Sequence, residues 1–196
     1  MKEIITSIKV FIGFSILLGL AYPLVITGIA QATMPNKANG SLIKVDGKVI
    51  GSSLIGQKFD KPEYFNSRPS AVDYNASGSG ASNLGPSSKK LIAQIEKRIA
   101  KCKMQNAKSN LSAVQPFNPS TIPADMVLTS ASGLDPHISV ENANLQVTRI
   151  AKIRNISESK LQEIVKKNTD PDFIGIWGQQ GVNVLKLNIA LDKEGK

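Results

Sequence analysis

VFIGFSILLGLAYPLVITGIA, residues 10–30, is 21 residues long and carries no formal charge. At ~1.5 Å of rise per residue a helix of this length reaches about 32 Å, which matches the ~30 Å hydrocarbon core of a bilayer. Twelve of its residues are Leu, Ile, Val or Phe, which together favour insertion by roughly 4 to 7 kcal/mol before polar offsets. The competing reading is a cleaved secretory leader, with Lys2 and Lys9 as its basic start and Ala30-Gln31-Ala32 as its small-residue cleavage site. A leader's apolar stretch is typically ~7–15 residues, so the length here favours a retained anchor. Residues 1–9 then form a short cytoplasmic tail. The lysines on the two flanks, two against three, do not decide orientation. A short basic tail usually stays inside and long domains translocate largely regardless of charge, so the N-terminus is expected inside and the remainder outside.

Within the span, Ser15, Gly19, Pro23 and Thr27 recur at every fourth position and share one ridge. Small side chains at that spacing let a second helix approach closely, so this ridge is a candidate partner-packing face. Pro23 has no N–H to give the Gly19 carbonyl, and a local irregularity is expected there.

The rest of the chain bounds its own interpretation. Of 196 residues, 41% are hydrophobic and one is cysteine, which excludes wholesale disorder and a disulfide scaffold. Residues 31–40 read as an exit linker and 41–196 as one soluble α+β domain. Asp46-Gly47 between Leu42–Val45 and Lys48–Ile50 signals a tight hairpin, and Leu54–Phe59 is expected to extend that sheet. Residues 66–88, with only Val72, Tyr74 and Leu84 as sizeable apolar groups, read as a long, ordered but irregular loop. Ser87 or Ser88 starts a helix reaching about Met104, with Leu91, Ile92, Ile95, Ile99 and Cys102 inward. Residues 110–137 are irregular and punctuated by proline. Ser139 caps a second helix, with Val140, Ala143, Val147, Ile150 and Ala151 inward. Ser157 caps a third, stapled by Ile156 and Leu161. The alternation of Leu185, Leu187, Ile189 and Leu191 predicts a half-buried strand over 182–191.

The net charge is +9, and the helix from Lys89 to Lys108 holds seven basic residues against one acid, Glu96. No aromatic residue falls between Tyr74 and Phe117, which removes the stacking that nucleic-acid binding would use. A solvated face, a membrane-surface contact and an acidic-partner contact all remain open for this helix. Gly78, Gly80 and Gly85 precede a helix start, as phosphate loops do, but no Walker lysine follows and Asn83 stands where a dinucleotide motif wants glycine. His137 is the sole histidine. Asp135 lies beside it, yet the chain has no nucleophile elbow and too few ligands for a zinc site. No metal and no cofactor of its own is expected.

Specific runs extend this reading. Tyr22-Pro23-Leu24-Val25-Ile26-Thr27-Gly28, Gly51-Ser52-Ser53-Leu54-Ile55-Gly56-Gln57 and Tyr64-Phe65-Asn66-Ser67-Arg68-Pro69-Ser70 come first. Asp73-Tyr74-Asn75, Ser82-Asn83-Leu84-Gly85-Pro86-Ser87, Pro123-Ala124-Asp125 and Ser132-Gly133-Leu134-Asp135-Pro136-His137-Ile138-Ser139 follow, and Val182-Asn183-Val184-Leu185 with Leu187-Asn188 closes the series. In this order the chain resembles the KdpC family, the C subunits of bacterial potassium-transporting P-type ATPases. Departures are Asn66, where an aromatic or histidine is common, Gln180-Gly181, where Pro-Arg is common, and the lysine-rich stretch near 101–110.

The resemblance implies a non-catalytic accessory subunit in the bacterial inner membrane, partnered with a potassium-pore subunit, an ATPase subunit and a small single-span subunit. It also implies roles in assembly and in raising the ATPase subunit's affinity for ATP. Arg68, Asp73, Asn83, Asp135 and His137 are the expected partner contacts. The alternatives are a membrane-anchored nucleotide-binding regulator using Gln57, Gly78 and Gly80, and a hydrolase using His137. ATP otherwise enters only through the complex.

Overall fold

The computed structural model describes residues 1–108, 122–171 and 178–194. The chain divides into two compact units, Met1–Ser52 and Ser53–Lys196.

The first unit is a helical rod followed by a hairpin. Helix α1 (Lys2–Ile16) passes through a π-helical turn (Leu17–Ala21) into α2 (Tyr22–Thr33). The irregularity expected from Pro23 takes this form: the Tyr22 N–H reaches back to the Leu17 carbonyl, five residues away. A wide turn lets the backbone absorb the donor that proline lacks. The 32-residue rod is long and apolar enough to cross a membrane, and none of its side chains is buried within the protein. The expected linker is largely helical: α2 runs to Thr33 and a short α3 (Pro35–Ala38) follows. Gln31 and Asn39 exchange two side-chain hydrogen bonds of 3.1 Å, which fold α3 back on α2.

Strands β1 (Leu42–Val45) and β2 (Lys48–Ser52) then pair antiparallel, with a register shift between Ile43 and Lys44. Asp46 and Gly47 both take positive φ (50° and 76°), the mirror-image turn that this residue pair favours.

The second unit holds the core. Leu54–Phe59 forms no strand, which corrects the expected sheet extension; instead the Gly56 N–H bonds the Leu134 carbonyl at 2.7 Å, stitching loop to loop. Helix α4 (Lys89–Lys108) starts after Ser88, whose Oγ accepts from the Leu91 N–H at 3.4 Å. Short α5 (Ala124–Val127) leads to β3 (His137–Ile138), then α6 (Val140–Arg154), α7 (Glu158–Lys167) and β4 (Thr169–Asp170). Ser139 and Ser157 cap α6 and α7 as expected. Part of 110–137 lies outside the described residues.

The predicted strand over 182–191 is corrected: only Gly181–Asn183 is extended (β5), and Val184–Glu194 forms helix α8. Asn183 Oδ1 accepts from the Lys186 N–H at 3.2 Å and so starts the helix. Val184, Leu187, Asn188 and Leu191 then fall on one buried helical face.

A three-stranded antiparallel sheet, in the order β3-β5-β4, sits against α6 and α8. Its strands are only two or three residues long. Phe65, Val147, Ile150, Leu161, Val165, Val182, Leu187 and Leu191 fill the core between helices and sheet.

Candidate interaction surface

The core is framed by polar side chains as well. Arg149 on α6 is 2% exposed and donates to the carbonyls of Pro62 and Tyr64, to Asn66 Oδ1 and to Gln146 Oε1. Burial pushes its pKa down to about 10, so it stays charged near neutrality. Gln146 also accepts from the Asn66 N–H at 2.7 Å and donates to Asn142 Oδ1 at 2.9 Å. Asn142 in turn donates to Asp125 Oδ2 at 3.0 Å, and Asp125 accepts from the N–H and hydroxyl of Ser139. Asn188 on α8 clasps the Phe65 backbone from both sides, accepting from its N–H and donating to its carbonyl. These contacts convert residues 62–66 from a loop into a fixed platform.

From that platform the chain enters the irregular stretch 66–88, which lies along residues 129–135. Ser130 N–H bonds the Pro69 carbonyl, and Ser70 Oγ bonds that of Gly133. Gly80 N–H and Ser79 Oγ share the Ser132 carbonyl, and Thr129 meets Ser82. Gly133 has φ +68°, and a Cβ there would lie 2.7 Å from both the Gly80 carbonyl oxygen and a Val72 methyl. No other residue fits without movement. The expected order of the 66–88 loop is therefore present, supplied by side-chain and backbone bonds rather than a ladder.

Three of the five expected contact residues come together here. Arg68 Nη1 lies 3.2 Å from Asp135 Oδ2, each side chain 30% exposed. Asp135 Oδ1 accepts from the His137 N–H at 3.0 Å. The His137 ring crosses Gly181, where a Cβ would stand 3.3 Å from its own, and its Nε2 lies 3.0 Å from Asp170 Oδ2. Lys186 approaches the other Asp170 oxygen at 3.9 Å. Arg68, Asp135 and His137, together with Asp125, Glu141 and Gln180, line an open cleft of about 640 Å³. Asp73 lies apart, paired with Lys58 at 2.7 Å, and holds positive φ beside Tyr74. Asn83 is exposed, also at positive φ.

The residues singled out for nucleotide contact are differently employed. The Gly78 N–H bonds the Asn75 carbonyl and the Gly80 N–H the Ser132 carbonyl, so neither amide is open to a phosphate. The Gln57 carbonyl accepts from Ser67 Oγ at 2.6 Å. Ser139 Oγ, the serine nearest His137 in sequence, is committed to Asp125 and the Asn142 N–H. Among the described residues no three of His, Cys, Asp and Glu gather as a metal site. Cys102 lines a cavity of about 170 Å³, and burial raises its thiol pKa. On the rod, nothing lies within 4 Å of a Cβ placed at Gly19, and Ser15, Pro23 and Thr27 are exposed.

Arg149, Gln146 and Asn142 escaped the sequence reading, and Asp125 and Asn188 entered it only as members of motif runs, with no role assigned. Apolar periodicity is blind to buried polar groups, and the one signal was a lone arginine set between Val147 and Ile150.

What emerges first is a class: an α+β unit with a surface of cross-bonded loops, preceded in the chain by one apolar helical rod. The family model described as the c chain of the K+-transporting ATPase matches residues 4–193. A potassium-transporting ATPase KdpC subunit of Caldanaerobacter subterraneus is 47% identical over 195 residues, covering 100% of this chain and 97% of that one. The subunit of Koribacter versatilis is 46% identical over 194 residues, covering 97% and 94%. That of Caulobacter vibrioides is 49% identical over 183 residues, covering 91% and 87%. The chain belongs to the KdpC family.

Proposed function

We propose that this chain is a membrane-anchored accessory subunit of an ATP-driven potassium uptake complex, acting by contact rather than by chemistry of its own. The observation that carries the reading is the family match along residues 4–193, which takes in the rod as well as the folded unit. The partners are a potassium-pore subunit, an ATPase subunit and a small single-span subunit. The rod lies in the bacterial inner membrane, N-terminus inside and the second unit outside, its Ser15/Gly19/Pro23/Thr27 ridge against a partner helix.

Arg68, Asp135 and His137 supply the polar anchors of the second contact. Assembly is favoured over direct nucleotide handling because the Gly78 and Gly80 amides are already bonded within the chain. A raised ATP affinity in the ATPase subunit then follows from holding that subunit in its assembled form.

Detergent co-purification and potassium-stimulated ATPase activity test this, using the full chain and a deletion of residues 53–196. The expected result is loss of assembly and of transport with the deletion. Unchanged assembly and transport overturn the proposal. A reporter joined after Lys196 tests the orientation, and labelling of the chain by a photoreactive ATP analogue would favour the nucleotide-binding alternative.

A further inference from the structure

Helix α4 sorts its basic residues by partner. Arg98 turns inward and donates to the Val127 carbonyl at 2.6 Å, whereas Lys89, Lys90, Lys97, Lys101 and Lys103 are exposed. Among the described residues, none of these five lysines enters an ion pair. At ~100° per residue Lys90, Lys97 and Lys101 lie within about 40° of one line, and the line runs for about 16 Å. Lys97 and Lys101, four residues apart, repel each other and weaken the helix as it stands. Packing would not require this arrangement, since the buried face already carries Cys102 and the inward Arg98.

The side chains on this face narrow the chemistry of what would cover it. They are lysines, compact point charges on flexible stems, with no outward guanidinium to fork onto a protein carboxylate. No aromatic lies on the helix to stack a base. Met104, 59% exposed and within about 40° of the lysine line, is an apolar group of the kind that enters a headgroup layer, whereas Ile92, expected inward, is 47% exposed on the opposite side of the helix. The chain that carries them also carries a rod suited to a bilayer, and tethering raises the local concentration of any lipid surface the helix meets.

We infer that the lysine stripe of α4 binds anionic phospholipid headgroups, a second membrane contact beyond the span. This rests on the anchored reading of the rod. Each lysine at an anionic surface is worth about fivefold in binding, so removing three lowers the docked fraction relative to the free by about a hundredfold.

The test uses the full chain carrying Cys102→Ala and a donor fluorophore on Met104→Cys. It is reconstituted in nanodiscs of phosphatidylcholine alone or with added phosphatidylglycerol, each with a headgroup-linked acceptor. The expected result is stronger energy transfer in the anionic discs, lost at about 0.5 M salt, where the Debye length is only ~4 Å. Transfer should also be lost in Lys90→Gln/Lys97→Gln/Lys101→Gln and kept in the corresponding triple arginine variant. Equal transfer in neutral and anionic discs overturns the inference, as does full transfer in the glutamine variant. Transfer that arises only when partner proteins are added overturns it too, because it assigns the stripe to an acidic protein surface. Co-elution of the chain with the discs reports the rod separately, so the two readings fail in different measurements.

Discussion

The two units of this chain invert each other's rule of burial. In the first, Leu17, Leu18, Leu20, Val25 and Ile29 all face outward and no residue of the rod is buried. In the second, Asn142, Gln146, Arg149, Asn183 and Asn188 lie inside, each at most 2% exposed. One rule covers both: a side chain is placed by whether its surroundings satisfy it. Lipid accepts leucine without cost, and a ring of backbone carbonyls accepts a guanidinium. Hydropathy therefore reads the rod correctly and misreads the interior of α6.

Substitutions at the polar interior should strike hardest. Arg149→Ala strands the carbonyls of Pro62 and Tyr64 and should cost about 4 kcal/mol, seen as a lowered midpoint in thermal unfolding of the full chain in detergent. A loss below ~1 kcal/mol would show that the arginine is a passenger and dissolve the contrast. Gly56→Ala places a Cβ against the Asp135 carbonyl oxygen, a collision with rigid backbone worth about 3 kcal/mol by the same measurement. Asn188→Ala removes both bonds to Phe65 and should cost about 2 kcal/mol.

Tyr74→Phe deletes the bond from its hydroxyl to the Arg68 carbonyl, at about 1 kcal/mol near neutrality. Burial raises this phenol from 10.0 to about 12. Its neutral form thus contributes stability that is complete below pH 10 and is lost as pH rises towards 12. The phenylalanine variant should lose less stability across that window in an alkaline unfolding series. In the first unit the effect changes kind. Gly19→Leu meets nothing within the chain, so helicity should hold within ~0.5 kcal/mol while co-purification with the complex falls.

Where local rules suffice, the sequence was readable. Asp46-Gly47 announced the hairpin, Ser139 and Ser157 announced α6 and α7, and Pro23 announced the break in the rod. The error at 182–191 has a definite cause: apolar residues at 185, 187, 189 and 191 satisfy a two-residue period. The helical face built on Val184, Leu187 and Leu191 was hidden because Asn188, a polar residue, completes it. The candidate site was harder still. Arg68 and Asp135 are 67 residues apart, and no local pattern predicts their contact. Those positions stand in ordered motifs shared with a family, while the platform beneath them is built by tertiary contacts of Arg149 and Asn188 that no motif spells out.

The bonds between residues 69–82 and 129–133 have a mechanical consequence. Two segments far apart in the chain are riveted into a single plate, so a partner that grips one edge pulls on both. Amide hydrogens from the two segments should become exchangeable together, and an antibody raised to the folded surface should recognise neither peptide alone.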